Sequence, residues 1–67
     1  MTVRQAAKGV YSVYCWNYRI GFINDEGYED QTEFERVKSI QELVELFEDF
    51  CKDNRFDPKE VIYVERA

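Results

Sequence analysis

The chain of 67 residues has no histidine, one proline, three glycines and two cysteines. Without histidine there is no imidazole base, no Ser/His or Cys/His nucleophilic pair and no mixed Cys/His zinc site. Cys15 and Cys51 are too far apart in the chain for a C-x-x-C redox motif, and two thiolates are too few for a four-sulfur metal centre. In a reducing compartment both thiols are expected to be small buried hydrophobes and not a disulfide. Gly9, Gly21 and Gly27 lie too far apart for a P-loop or a dinucleotide-binding loop. Long apolar runs are missing as well: no stretch of 18 apolar residues occurs, and Met1 to Lys8 contains no signal-peptide core. No membrane association is expected, and a cytoplasmic location is.

Positive charge is scarce. Nine Lys+Arg face fourteen Asp+Glu, for a formal net charge of -5 and a sequence pI of about 4.6. A nucleic-acid binder normally shows a basic footprint, so this balance argues against nucleic acid as a partner. What is present suffices for folding, since 45% of the residues are hydrophobic, far above disordered compositions. Residues 1–67 form a single small domain on this basis. A chain of this size buries only about 60% of the surface it exposes when unfolded, which leaves little room for a deep substrate cavity. Fourteen acids make chance carboxylate pairs inevitable, but without a pocket to raise one pKa no pair is singled out for catalysis. No enzyme, cofactor or metal site is expected; in particular, no frame opening at Asn24 or Asp25 reproduces the EF-hand ligand order.

Along the chain, residues 1–9 read as a polar lead-in ended by Gly9. Val10 to Ile23 is rich in aromatic and β-branched residues and contains no acid, which is strand composition. On the two-residue period, Val10, Ser12, Tyr14, Trp16, Tyr18, Ile20 and Phe22 share one face; the stretch is one strand bent near Asn17 or Gly21, favoured for want of a turn glycine, or two strands with a tight turn around Asn17. Asn24-Asp25-Glu26-Gly27 is the clearest turn signal. A returning strand is expected over Thr32 to Lys38, where Phe34 and Val37 are out of phase by one and predict either a bulge or an early end to the ladder. Residues 28–31 are expected to widen the loop.

Ser39-Ile40-Gln41-Glu42 is a capping-box pattern. Ile40, Leu43, Val44, Phe47, Phe50 and Cys51 then recur at helical spacing, opposite Gln41, Glu42, Glu45, Glu48, Asp49, Lys52 and Asp53. The helix should end with Asn54 in the left-handed conformation and Phe56 folded back on the last turn. Asp57-Pro58 is a turn, and Val61 to Val64 a final strand. The fold class is therefore α+β: a small antiparallel sheet of three or four strands with one amphipathic helix on one face, in β-β-α-β order with room for an extra N-terminal strand. A helix of about 14 residues, ~21 Å long, covers one sheet face and not two. The other face, with aromatics on it, is expected to be exposed and to mark an interface.

Two surfaces stand out. Tyr14, Trp16 and Tyr18 form an aromatic run that is either core, a face for a partner or a second copy of the chain, or a base-stacking platform with Lys8 and Arg19 nearby to meet phosphates. Charge placement is the more informative feature. Residues 1–23 hold Arg4, Lys8 and Arg19 and no acid, whereas residues 24–35 hold Asp25, Glu26, Glu29, Asp30, Glu33 and Glu35 and no base. The helix adds Glu45, Glu48 and Asp49 to this negative surface. It keeps a small domain soluble, and it would also steer the protein to a basic partner. The expected function is a small non-enzymatic, regulatory protein-binding accessory that uses the acidic surface and an apolar sheet face, one form being an inhibitor docked on the basic groove of a nucleic-acid-handling protein. The alternatives are a single-stranded nucleic-acid binder built on the aromatic face and a small homodimer.

Overall fold

The computed structural model describes residues 1–10 and 14–67. Among them, two helices and three strands follow one another as α1 (Val3–Ala6), β1 (Trp16–Ile23), β2 (Glu29–Val37), α2 (Ile40–Asn54) and β3 (Val61–Arg66). The sheet is antiparallel throughout, with order β2-β1-β3. This is a small α+β fold with β-β-α-β order behind a short N-terminal helix. No helix among the described residues is long and apolar enough to cross a membrane.

Residues 1–9, expected to be a polar lead-in, contain α1. Thr2 and Gln5 form a full reciprocal capping box, with Thr2 N–H donating to Gln5 Oε1 at 2.8 Å and Gln5 N–H to Thr2 Oγ1 at 3.3 Å. The pattern was hidden because so short a helix has no apolar periodicity; only Val3 and Ala7 are buried.

The expected strand over residues 10–23 is a strand from Trp16 to Ile23; Tyr11, Ser12 and Val13 lie outside the described residues. Beyond it the chain turns as Asn24 to Gly27 predict. Asn24 N–H donates to Tyr28 O at 2.8 Å, Gly27 N–H donates to Asn24 O at 3.0 Å, and Asn24 Oδ1 accepts from the N–H groups of Glu26 and Tyr28. Gly27 has φ 84°, the left-handed residue that a three-residue hairpin loop places last. This economical turn lets β2 start at Glu29, so residues 29–31 are strand and not an extension of the loop.

Of the two outcomes open at Phe34 and Val37, the structure has the bulge, and the ladder continues to Val37. Trp16 pairs with Val37 but Tyr18 with Phe34, leaving one extra residue on β2. Arg36 absorbs it at φ 54°, and its N–H donates to Asn17 Oδ1 at 2.9 Å. A second irregularity falls on β3, where Gly21 pairs with Tyr63 but Phe22 with Val61. Ile62 is therefore skipped, and Val61 and Val64 are both buried. Strict alternation would place Val61 with Tyr63 and Ile62 with Val64.

α2 opens with Ser39 Oγ accepting from Glu42 N–H at 3.0 Å. It runs through Asn54, and Arg55 takes the left-handed cap at φ 61°, one residue later than expected. Phe56 does fold back: its N–H donates to Cys51 O at 2.9 Å, and its ring lies 5.1 Å from that of Phe22. Leu43, Phe47 and Cys51 of α2 pack on Tyr18, Ile20 and Phe22 of β1, with Val3, Ala7, Val37, Val61 and Val64 completing the core. Phe22 is its centre, touching Phe47 and Phe50 edge-on at 5.7 and 5.5 Å.

Candidate functional site

The helix settles which sheet face is covered. Tyr18, Ile20 and Phe22 point to α2, so Arg19 and Gly21 point away, together with their partners Glu33 and Gln31 on β2 and Glu65 and Tyr63 on β3. Arg19 bridges the two outer strands: its guanidinium meets Glu33 Oε1 at 2.6 Å and Glu65 Oε1 at 2.8 Å. The hydrogen bond to Glu33 and then that to Glu65 hold the Arg19 pKa above its ordinary value. In the next row Tyr63 lies across Gly21, and its hydroxyl donates to Gln31 Oε1 at 3.1 Å. The face expected to be apolar and aromatic is instead polar and cross-linked by side chains. Arg19, which the base-stacking alternative would turn to a phosphate, already has two carboxylate partners.

Nor does the aromatic run form one surface. Tyr18 is 0% exposed, whereas Trp16 is 42% and Tyr14 75% exposed. Trp16 opens β1 and Tyr14 precedes it, so the face they were expected to share with Tyr18 is buried only from Tyr18 onward. Tyr18 therefore belongs to the core and cannot touch a partner or a base. Trp16 remains at the surface with the Arg66 guanidinium 5.2 Å from its ring centroid. The thiols part in the same way: Cys51 is buried, as expected of it, but Cys15 is exposed. Burial, with Asp57 and Glu48 adding to it, pushes the Cys51 pKa up to about 11.

The nine acids singled out by charge are all exposed, but they occupy two sides of the molecule. Asp25 and Glu26 sit at the hairpin tip, while Glu29 and Glu33 lie on the open sheet face and Asp30 and Glu35 along β2. Glu45, Glu48 and Asp49 lie on α2, behind the opposite sheet face. Glu45 accepts from Gln41 Nε2, and Gln41 in turn accepts from Arg4. Glu48 borders a cavity of about 270 Å³ with Val3, Arg4, Val44, Phe47 and Lys59. The hairpin is thus the coherent acidic element: six carboxylates over residues 24–35 with no basic residue among them. Of these six, Glu33 alone is in an ion pair, within the described residues. Among those residues no group of three or more cysteine or carboxylate side chains is placed to hold a metal ion.

The edge position of the acidic strand is what charge counting missed. Charge placement located the hairpin; that β2 is an outer strand depends on β3 pairing with the other side of β1, which no local pattern reveals. Taken together, these features define a small α+β protein with an acidic hairpin at one sheet edge. Comparison with protein-family models, with curated proteins and with solved structures finds no match.

Proposed function

We propose that the chain is a small non-enzymatic binding protein that docks through the β1–β2 hairpin on a basic surface of a partner protein. The supporting observation is the hairpin itself, whose carboxylates at Asp25, Glu26, Glu29, Asp30, Glu33 and Glu35 are all exposed, and of which only Glu33 is in an ion pair, with Arg19, among the described residues. Such a surface accelerates encounter with a basic partner and fixes its orientation more than it adds affinity. Carboxylates presented in this way can take the place of phosphates on a basic groove, so a regulator of a nucleic-acid-handling protein is the form of partner this chemistry favours. A cytoplasmic setting, with Cys15 and Cys51 as thiols, goes with the same proposal. The acids of α2 are left out of the docking surface because they lie on the other side of the fold.

The test is affinity capture from native lysate with the tagged chain beside a variant carrying Asp25→Asn, Glu26→Gln, Glu29→Gln and Glu35→Gln. A basic protein should elute from the wild type as salt rises, because exposed charges are screened over about 8 Å at physiological ionic strength, and it should be missing from the variant. Equal retention by both proteins, or recovery of nucleic acid without protein, overturns the proposal.

A further inference from the structure

We propose that the outer edge of β2 is a strand-addition site for an extended partner segment in which basic and apolar residues alternate. The inference rests on the hairpin being the docking surface and adds how the partner is held. Its first support is the sheet order, which leaves β2 as an outer strand with no further strand beside it among the described residues. The opposite edge is different. At β3, Val61 N–H donates to Met1 O at 3.0 Å and the Met1 amine donates to Val61 O at 3.1 Å, so Met1 covers that edge at its first residue.

The backbone of β2 can be assigned group by group. Asn24 and Tyr28 close the hairpin through a backbone hydrogen bond, and in an antiparallel ladder the residues that exchange such bonds alternate with residues that do not. Glu29, Gln31 and Glu33 therefore direct their N–H and C=O groups away from β1. Ile23, the partner of Glu29, agrees: its N–H donates outward on the other side, to Glu60 O at 2.9 Å. Gln31 agrees too, since its N–H reaches the Asp30 carboxylate at 2.8 Å and not β1. An incoming carbonyl would replace Asp30 there and free that carboxylate for a basic side chain.

The side chains at this edge specify the occupant. On the open face an added strand would run beside Glu29, Gln31 and Glu33, which calls for Lys or Arg. On the face toward α2 it would run beside Asp30, Thr32 and half-buried Phe34, whose ring stands edge-on to Phe50 at 6.3 Å; Asp30 takes a basic side chain at the hairpin end, and Thr32 and Phe34 call for apolar ones. Alternation of the two is the pattern of a strand with one wet and one dry face. A second copy of the chain does not fit, because antiparallel pairing of two β2 edges about Gln31 sets Glu29 of each copy opposite Glu33 of the other, and like charges across strands destabilise. At the far end the Arg36 bulge ends the straight edge.

The probe is an end-capped peptide of alternating lysine and valine, about as long as β2, added to the intact protein and followed by amide hydrogen exchange. Exchange should slow at Gln31 and Glu33. N-methylation of alternate peptide residues, which removes the edge donors but keeps every side chain, should weaken binding about tenfold or more. Glu29→Gln with Glu35→Gln should weaken it about tenfold at low salt and much less at high salt. Absence of binding overturns the strand-addition site, as does slowed exchange that appears with rising protein concentration alone. If neutralisation weakens binding but N-methylation does not, acidic docking stands and strand addition falls; retention of the captured partner by the neutralised protein brings down the docking surface itself.

Discussion

Tyr63 crosses the central strand at Gly21. The two residues are paired between β3 and β1, and the tyrosine ring fills the space a β-carbon on Gly21 would need, so that its hydroxyl can reach Gln31 on β2. One side chain thus spans all three strands over a glycine, the arrangement known to compensate a strand for the packing that glycine lacks. Gly21→Ala should destabilise the protein by about 1–3 kcal/mol, because the ring must swing away from the sheet. In a Tyr63→Ala background the same change should cost far less. Urea denaturation of the two single variants and the double variant measures the coupling; additive effects would show that the ring and the glycine are independent.

The two thiols should behave as different chemical species. At pH 8 a small alkylating reagent should modify Cys15 rapidly and leave Cys51 untouched until the protein unfolds, which mass spectrometry after timed quenching reads directly. The buried thiol also predicts a pH dependence. Its pKa rises from 9.0 to about 11 on folding, so the folded state keeps the proton that the unfolded state gives up between these values. Its contribution to stability is complete below pH 9 and is lost as the pH climbs toward 11. Cys51→Ala should flatten the fall of the urea midpoint across that window, although alanine leaves a small void and lowers the plateau at neutral pH. An unchanged slope would remove Cys51 as its source.

Two arginines hold left-handed backbone that a glycine would adopt at no steric cost: Arg36 in the β2 bulge and Arg55 at the end of α2. Arg55→Gly should stabilise the protein by about 0.5–1 kcal/mol, since the Arg55 side chain is exposed and lies outside the core. Arg36→Val should do the opposite, because a β-branched residue resists positive φ more strongly than arginine. Thermal melts of both variants at one pH decide the matter, and a drop in the melting temperature of Arg55→Gly would contradict the cap assignment.

Much of this architecture was legible in the residues. The Asn24 to Gly27 turn, the irregularity at Phe34 and Val37 and the Ser39 cap are each written locally, in side chains that bond to nearby backbone or in a break of alternation. What stayed hidden depends on partners distant in sequence. Whether Tyr18 faced solvent or core could not be read from β1 alone, because it depends on which sheet face α2 covers and on how far along β1 that cover extends. The polar character of the open face was hidden for the same reason: Arg19, Glu33 and Glu65 become neighbours only through pairing. Helix α1 is too short for periodicity to show, although Thr2 and Gln5 had the right spacing for its cap. For the acidic hairpin, composition supplied the charge, but only the order of the strands makes it an edge.

That order also shapes how the molecule assembles. β1 is the central strand, yet β3 comes last in the chain, after β2 and α2. The β1–β2 hairpin needs only a short loop to close, whereas the pairing of Gly21 with Tyr63 must wait for a much larger loop and its greater entropic cost. Until β3 arrives, β1 is itself a bare edge, and its row of Tyr18, Ile20 and Phe22 lacks the wall formed by Val61 and Val64. A partly folded chain would present that apolar row without the carboxylates that guard β2, so the interval before the last strand docks is the period of greatest aggregation risk.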